Sequence, residues 1–259
     1  MTSTINSAMN SIDDNSPKKT VLITGATSGL GWSLTKKYYQ QGFKVIACGR
    51  NTEKLAKLTS EFEQLSTLAF DITNSDDVQK AANSITNAID IVILNAGDCQ
   101  YIDNVKAFDT TKFSHVINTN LISMGHMLAS FLPKIPQHGQ LVFISSIVTT
   151  LPFPRSHAYG ASKAGLDYLA NTLRLDLMAE SIDVSLVHPG FVETPLTDKN
   201  DFDMPFIISA DDAAQRIFSG IAKRKSYLHF PKRFTYLLKI FRFLPDALWH
   251  KMMFRSAIK

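Results

Sequence analysis

Residues 20–31, TVLITGATSGLG, decide the fold of this 259-residue chain. The first five residues form an apolar run typical of a buried strand, and a helical pattern begins near residue 30. Glycines between the two allow a tight turn, and the start of the helix offers free N–H groups and a positive dipole end to a pyrophosphate. The spacing Gly25-x3-Gly29-x-Gly31 therefore predicts a phosphate-binding turn. A purely structural turn is the alternative interpretation.

The alternation of short strands and longer helices continues along the chain. The predicted strands are 20–24, 44–48, 67–70, 91–94, 141–145, 183–187 and 227–230, and the predicted helices are 30–41, 52–63, 75–87, 109–132, 157–180 and 210–223. Continuous apolar strands are typical of a parallel sheet that is covered on both faces. The sequence thus predicts an α/β fold with a doubly wound, Rossmann-like parallel sheet in a single domain.

The composition agrees with one globular domain. A hydrophobic fraction of 45% and a charged fraction of 19% exclude global disorder. Two cysteines are too few for a disulfide framework, which favours a reducing, cytoplasmic location. The polar segment 1–17 lacks the apolar core of a secretion signal and is interpreted as a mobile tail, which leaves 18–231 as the nucleotide-binding and catalytic domain. Neither a metal-ligand spacing nor a nucleic-acid-binding motif is found.

The positive charge is concentrated near the C-terminus. The net charge is +4, and from Lys223 onward the chain has ten Lys and Arg residues but only one acid, Asp246. The segment 232–259 interleaves these cations with bulky apolar residues, so it is predicted to be a basic amphipathic extension, too interrupted to span a membrane. Three interpretations are open: peripheral membrane contact, contact with a second subunit, and a cover over the substrate pocket.

The residues that follow three predicted strands suit a dinucleotide. Strand two ends at Gly49 without the acid that would bind a ribose 2′-hydroxyl, and Arg50 offers a guanidinium to a 2′-phosphate instead, so NADP(H) is favoured over NAD(H). A solvated surface arginine is the alternative. Asp71 is expected to accept the adenine amino group or to cap the next helix. Asn95 is expected to line the cofactor crevice, to stabilise the strand ends, or both.

A serine, a tyrosine and a lysine form a candidate proton-transfer group. Tyr159 and Lys163 are four residues apart and would share one face of a helix. A free tyrosine has a pKa of about 10, and a nearby ammonium can lower that pKa by roughly one to three units, towards the range useful for general acid–base catalysis. Ser146 is predicted to end strand five, where its hydroxyl could hold a substrate oxygen.

These motifs, taken together, resemble the short-chain dehydrogenase/reductase family in its form of about 250 residues. The resemblance covers about 18–230 and rests on TGxxxGxG (24–31), Asn95-Ala96-Gly97, Ser146, the YxxxK pair 159–163 and Pro189-Gly190. It implies an NADP(H)-dependent oxidoreductase that interconverts a ketone and a secondary alcohol, in a homodimer or homotetramer. Tyr159 would be the general acid and base, Lys163 would bind the nicotinamide ribose, and Ser146 would polarise the carbonyl.

The resemblance also supplies the remaining site residues. Asn120 matches the asparagine that holds a proton-relay water, with Asn118 as a rival by residue type, and Thr194 would reach the nicotinamide carboxamide. The expected cofactor residues are Gly25, Thr27, Ser28, Gly29, Leu30, Gly31, Arg50, Asp71, Ile72, Asn95, Ala96, Gly97, Tyr159, Lys163, Pro189, Gly190, Val192 and Thr194. The expected catalytic residues are Asn120, Ser146, Tyr159 and Lys163.

The substrate is expected to be a small carbonyl or alcohol molecule. The expected substrate surface comprises Ile147, Leu151, Phe153, Phe191 and the segment 195–209, which is interpreted as a mobile lid. Its aromatic and acidic character suggests an apolar substrate without a large negative charge. Two other functions are weighed: a dehydratase or epimerase that uses the same Tyr and Lys pair, and a non-catalytic NADP(H)-binding regulator.

Overall fold

The computed structural model describes residues 18–257, so the predicted mobile tail 1–17 lies outside the described residues. Seven strands form one parallel sheet in the order β3-β2-β1-β4-β5-β6-β7. The strands are β1 Thr20–Thr24, β2 Lys44–Gly49, β3 Ser66–Ala69, β4 Ile91–Leu94, β5 Gln140–Ile144, β6 Asp183–Pro189 and β7 Tyr227–Phe230. The order reverses direction beside β1, which places a switch point, and hence a crevice, at the carboxyl ends of β1 and β4.

Helices cover both faces of the sheet. They are α1 Gly29–Gln40, α2 Thr52–Glu61, α3 Ser75–Asn83, α4 Thr110–Ile117, α5 Ser123–Phe131, α6 His157–Asp176, α7 Ala210–Ala222, α8 Lys232–Phe241 and α9 Asp246–Ala257. Several begin at a side chain that accepts a backbone N–H, as Asn74 does for α3 and Ser209 for α7. The predicted doubly wound, single-domain α/β fold is confirmed.

Two apolar cores lie against the two faces of the sheet. One packs α1 and α7 against side chains such as Val21, Ile23 and Val187. The other packs α3, α5 and α6 against alternate side chains such as Leu22 and Val92. Because the strands contribute to both cores, their sequences read as continuous apolar runs rather than as alternating ones.

The predicted helix 109–132 is wrong in one respect that affects the site. The structure divides it into α4, a π-helical turn at Asn118–Ile122, and α5. A single π-helical turn inserts an extra residue into an α-helix and is frequent at functional sites. Here it carries Asn120, which is 1% exposed, into the interior.

Strand five also ends earlier than predicted. β5 stops at Ile144, and Ser146 caps the short 3₁₀ helix Ile147–Thr150 rather than ending the strand.

The C-terminal extension forms two helices that pack on the domain. From α8, Phe234 and Leu238 are buried beside Ile147 and Leu151. From α9, Trp249 is 3% exposed and donates its indole N–H to the Pro152 carbonyl at 2.8 Å. Within residues 18–257, no helix is both long and apolar enough to cross a bilayer.

Candidate active site

A cleft of about 510 Å³ opens at the carboxyl ends of the central strands. Every residue expected to bind the cofactor lines this one cleft, from the glycine turn after β1 to the Pro189–Thr194 segment after β6. Of the four expected catalytic residues, Ser146, Tyr159 and Lys163 line it, and Asn120 lies behind it. A Rossmann-like sheet places these segments together because all its strands end on the same side.

The glycine turn is shaped for close backbone approach. Gly25 has φ +65°, a left-handed conformation that favours glycine. At Gly31 a β-carbon would lie only 2.1 Å from the Gly25 carbonyl oxygen and 2.6 Å from the Asn95 side-chain nitrogen. The turn therefore excludes side chains at Gly31, and the α1 N-terminus stands open to the cleft as an anion site requires.

Asn95 connects the ends of β1 and β4. Its amide donates to the Thr24 carbonyl at 3.0 Å, while the Thr24 hydroxyl accepts the backbone N–H groups of Asn95 and Ala96 at 2.9 and 3.0 Å. Asn95 therefore lines the cleft and also stabilises the ends of β1 and β4, in agreement with the two positions considered for it from the sequence.

Arg50 and Asp71 face each other at the end of the cleft beside β2 and β3. The guanidinium approaches the carboxylate at 3.4 Å, and the Arg50 side chain is 69% exposed. The other Asp71 oxygen accepts from the Thr73 backbone and hydroxyl at 2.9 and 2.8 Å. Although burial opposes them, the hydrogen bonds from Thr73 and the charge of Arg50 hold the pKa of Asp71 below its ordinary value. Asn74, rather than Asp71, caps α3.

Ser146 and Tyr159 meet at the inner end of the cleft. Both side chains line the cleft, and the serine oxygen accepts the Val148 N–H at 3.2 Å. Burial raises the pKa of Tyr159 above its ordinary value, and the nearby Ser146 hydroxyl only partly offsets this effect. The prediction that the ammonium lowers this pKa does not describe the structure, because loss of water around the phenol dominates.

Lys163 is 4% exposed and lies on the same face of α6 as Tyr159. Its ammonium donates to the Ile144 carbonyl at 2.9 Å and lies 5.7 Å from the centre of the Tyr159 ring. Burial lowers the pKa of Lys163 from 10.5 to about 8, and the charge of Asp167 acts in the opposite direction. The ammonium is therefore aimed at the end of β5 and remains close to the phenol.

Asn120 connects the π-helical turn to the loop after β4. Its amide donates to the Asp98 carbonyl at 2.8 Å and to the Ser162 hydroxyl at 3.0 Å, and its oxygen accepts the Asp98 N–H at 2.8 Å. A β-carbon at Gly97 would approach this oxygen at 3.1 Å and the Lys163 ammonium at 3.5 Å. Asn118, the rival by residue type, is less buried.

Sequence reasoning missed a polar network behind Lys163. Asp167, one turn after Lys163, accepts from the Ser145 hydroxyl and lies 3.0 Å from the His188 ring nitrogen Nε2. The other His188 nitrogen, Nδ1, lies 3.0 Å from the Tyr227 hydroxyl. The i, i+4 spacing of Lys163 and Asp167 was a readable signal, but the contact with His188 depends on strand order. The network joins α6, β6 and β7 behind the cleft.

A cluster of aromatic rings lies beside the cleft, next to Gly190 and Val192. Phe191 packs on Phe234 with ring centres 5.6 Å apart and on Phe202 at 6.1 Å. Ile147, Leu151, Phe153 and Phe191 belong to one apolar cluster with α8 and α9. None of these four side chains lines the cleft itself, so their expected role as a substrate surface stays a prediction.

The segment 195–209 is tied down in the structure. Arg155 bonds to Asp201 at 2.7 Å, and the Tyr101 hydroxyl donates to Asn200 at 2.8 Å. A β-bridge between Val192 and Ile208 brings the two ends of the segment together. It is therefore a held loop beside the cleft, and its proposed movement as a lid stays a prediction.

The comparisons agree with this geometry. The family model described as short chain dehydrogenase matches residues 19–204. The chain is similar to a serine 3-dehydrogenase of Agrobacterium fabrum (33% identity over 183 residues, covering 69% of this chain and 74% of that protein). It is also similar to an NADP-dependent 3-hydroxy acid dehydrogenase of Shigella flexneri (32% over 178 residues, 66% and 72%).

A solved structure is similar to the chain in both fold and sequence. The closed form of a serine dehydrogenase complexed with NADP⁺ superposes with a TM-score of 0.75 at 25% identity, covering 82% of this chain and 94% of that one. The match of the family model extends over well more than half of the sequence and includes the glycine turn, Ser146, Tyr159 and Lys163. The protein therefore belongs to the short chain dehydrogenase family of oxidoreductases that bind a nicotinamide cofactor.

Proposed function

We propose that the protein transfers a hydride between NADP(H) and a ketone or secondary alcohol, with Tyr159 as general acid and base. The observation that carries the proposal is the meeting of Ser146, Tyr159 and Lys163 in a cleft that begins at a phosphate-binding glycine turn. A phenol, a hydroxyl and an ammonium at that position are the groups needed to protonate and hold a carbonyl oxygen.

The raised pKa of Tyr159 suits carbonyl reduction. A phenol that remains protonated at neutral pH can donate its proton as the carbonyl oxygen becomes an alkoxide. Ser146 donates a hydrogen bond to the same oxygen and holds it against the phenol. The ammonium of Lys163 adds positive charge, which stabilises the phenolate that remains. Asn120 keeps the loop at Gly97 in place and, by the family resemblance, starts a proton path to solvent.

The residues of the cleft fit a dinucleotide. The open N-terminus of α1 and the exclusion of side chains at Gly31 suit a pyrophosphate. Arg50, at the nucleotide end and largely exposed, is free to turn from Asp71 to a 2′-phosphate, which supports NADP(H) over NAD(H). The nicotinamide, when bound, supplies or accepts the hydride. Lys163 is proposed to hold its ribose, and Thr194 its carboxamide.

Replacement of the tyrosine tests the proposal. With NADPH and a panel of ketones of graded size, we expect the natural chain to oxidise NADPH and Tyr159→Phe to lose at least 100-fold in kcat, the lower end of what a general acid contributes. The matched control is Tyr168→Phe, an exposed tyrosine on the same helix. NADPH affinity, measured by fluorescence, should stay within about twofold in both variants.

Three results would contradict the proposal. Failure of the natural chain to bind either pyridine dinucleotide would remove it altogether. Tight NADPH binding without turnover on any ketone or alcohol would favour the non-catalytic regulator, while turnover without net NADPH oxidation would favour the dehydratase or epimerase.

Assembly, location and substrate are further parts of the proposal. Exposed apolar side chains at the end of α6 and just after it, namely Leu175 and Met178, support a homodimer or homotetramer. Cys48 and Cys99 are free thiols, which supports a reducing, cytoplasmic compartment. The apolar cluster beside the cleft, which includes Phe191 and Phe234, supports an apolar carbonyl substrate, as expected from the sequence.

A further inference from the structure

We propose that the α8–α9 hairpin docks on a membrane surface that contains anionic lipids. Its outward side chains form what we call the C-terminal docking surface. The apolar members are Tyr236, Leu237, Ile240, Phe243, Leu248, Met252 and Phe254, and the cations beside them are Lys232, Arg233, Lys239, Arg242 and Lys251. Phe243 is 90% exposed and Ile240 is 63% exposed.

Helix α8 is apolar on two faces, and the fold explains only one of them. Phe234 and Leu238 point inward and are buried in the cluster with Trp249. Tyr236 and Ile240 are four residues apart, so they share a different, outward face of α8, and the exposed Phe243 follows in the turn after the helix. Large apolar side chains grouped at the surface mark an interaction site, because exposing them to water is unfavourable.

The charge of the surface identifies its partner as anionic. Between Lys232 and Phe254 there are five Lys and Arg residues and one acid, Asp246. A second copy docked symmetrically through the same surface would bring these cations together, which electrostatic repulsion opposes. An anionic lipid surface satisfies both features, because headgroups attract the cations while the outer acyl region takes up rings and aliphatic side chains.

The dimensions of the hairpin suit the membrane interface. α8 has 10 residues and α9 has 12, each too short to cross a hydrocarbon core of about 30 Å. Lysine and arginine side chains can extend from such a helix to the headgroups while their methylene stems cover apolar surface. The hairpin would therefore lie along the surface, held to the domain by its buried face.

Docking would place the substrate side of the cleft near the lipid. Phe234, on the inner face of α8, stacks on Phe191 and would meet a β-carbon at Gly190 at 3.1 Å. Ile147, next to Ser146, belongs to the same apolar cluster. An apolar carbonyl compound dissolved in the membrane would thus be presented beside the catalytic group. This statement about the substrate rests on the proposed function, whereas docking itself does not.

Vesicle sedimentation with the full chain tests the docking. We expect binding to vesicles of 70% phosphatidylcholine and 30% phosphatidylserine, and much weaker binding to pure phosphatidylcholine. The double variant Ile240→Glu/Phe243→Glu should lower the partition coefficient at least about tenfold, since burial of two large apolar side chains is lost. Arg233→Gln/Arg242→Gln should lower it roughly 25-fold, at about fivefold for each cation.

Matched variants elsewhere show whether the effect is local. Val105→Glu changes an exposed apolar residue, and Lys57→Gln an exposed cation, both outside the docking surface; neither should change partitioning. Circular dichroism, measured on the same samples, reports whether each variant is folded. If the glutamate pair fails to fold, Ile240→Ser/Phe243→Ser takes its place with the same expected direction.

Three outcomes would overturn the proposal. One is a natural chain that does not sediment with phosphatidylserine vesicles at low salt. Another is a folded glutamate variant that binds them as well as the natural chain does. The last is that the natural chain forms an oligomer and does not bind vesicles, while the glutamate pair runs as a smaller species in size-exclusion chromatography. That result would assign the surface to contact with a second copy of the chain. None of these readouts requires turnover, so the proposed function can fail separately.

Discussion

The buried ammonium of Lys163 makes a quantitative prediction about stability and pH. In the folded chain, burial lowers the pKa of Lys163 from 10.5 to about 8. Once the chain unfolds, the amine is exposed to water and regains its ordinary proton affinity. Between pH 8 and 10.5 the unfolded chain therefore binds more protons at this residue than the folded chain, so the free energy of unfolding rises with pH in that window. Below pH 8 the amine is protonated in both states, and its unfavourable contribution is constant.

The size of the effect follows from the two pKa values. A tenfold change in proton affinity corresponds to about 1.4 kcal/mol, so the charged form costs the folded state about 3 kcal/mol at neutral pH. Between pH 7.5 and 9, roughly 1 kcal/mol of this is recovered. Measurements should stop near pH 9, because burial raises the pKa of the Cys99 thiol from 9.0 to about 11, and this effect lowers stability as pH rises further.

Urea unfolding of the natural chain and of Lys163→Met measures the effect, with the fluorescence of the two tryptophans as the signal. The difference in unfolding free energy between the two proteins should change by about 1 kcal/mol from pH 7.5 to 9, the natural chain gaining relative to the variant. Most other titrating groups behave alike in the two proteins and cancel in the difference. Cys99 interacts with Lys163, and loss of the ammonium would raise the pKa of this thiol further, so below pH 9 the thiol stays protonated in both folded proteins. Parallel stability curves over this window would refute the assignment of a strongly depressed pKa to Lys163.

Three further outcomes are expected. Gly31→Ala places a methyl group 2.1 Å from the Gly25 carbonyl oxygen, an overlap that forces the turn to shift at a cost of up to about 3 kcal/mol. If the turn holds the pyrophosphate as proposed, NADPH affinity measured by fluorescence should fall by roughly 100-fold, whereas Gly125→Ala, whose methyl group meets no atom within 4 Å, should leave it unchanged. Arg50→Ala should raise KM for NADPH roughly 10- to 100-fold and KM for NADH less than threefold, because only the 2′-phosphate loses a charged hydrogen bond; equal effects on both coenzymes would contradict this role. Burial raises the pKa of Tyr159, so the phenol stays protonated and kcat for ketone reduction should vary less than about twofold between pH 6 and 7.5. Alcohol oxidation needs the phenolate, so its kcat should rise about tenfold per pH unit over the same interval. A kcat for reduction that decreases as pH rises from 6 to 7.5 would indicate a different acid.

Short-range patterns in the sequence, with the family resemblance that they carry, were enough to predict the fold and many of the residues that line the cleft. Seven apolar runs separated by helical stretches predict a parallel sheet, and the carboxyl ends of its strands meet on one side. The pair Tyr159 and Lys163 needed only the pitch of a helix to be placed on one face. The glycine turn was readable because glycine alone tolerates the conformation of Gly25.

Burial and long-range contact were decided only by the tertiary structure. The pKa of Tyr159 is raised rather than lowered because the surrounding elements exclude water, which no spacing in the sequence records. The π-helical turn that carries Asn120 inward is set by packing against α6, through a hydrogen bond to Ser162 that spans 42 residues.

The polar network behind the cleft and the C-terminal hairpin likewise combine features that are readable in the sequence with contacts that depend on the tertiary structure. Asp167 reaches His188 only because β6 lies beside β5 in the sheet, and strand order is not a local property of the chain. The amphipathic character of 232–259 is plain from its sequence, but which of its faces is buried depends on Trp249 and Phe234 finding the cluster beside the cleft. By itself, the sequence of this protein determined which segments are strands and helices and which side chains could do the chemistry, because those features depend on neighbours a few residues away. Only the tertiary structure decided which of those side chains lose water and which surfaces keep it, because both depend on residues far apart in the chain.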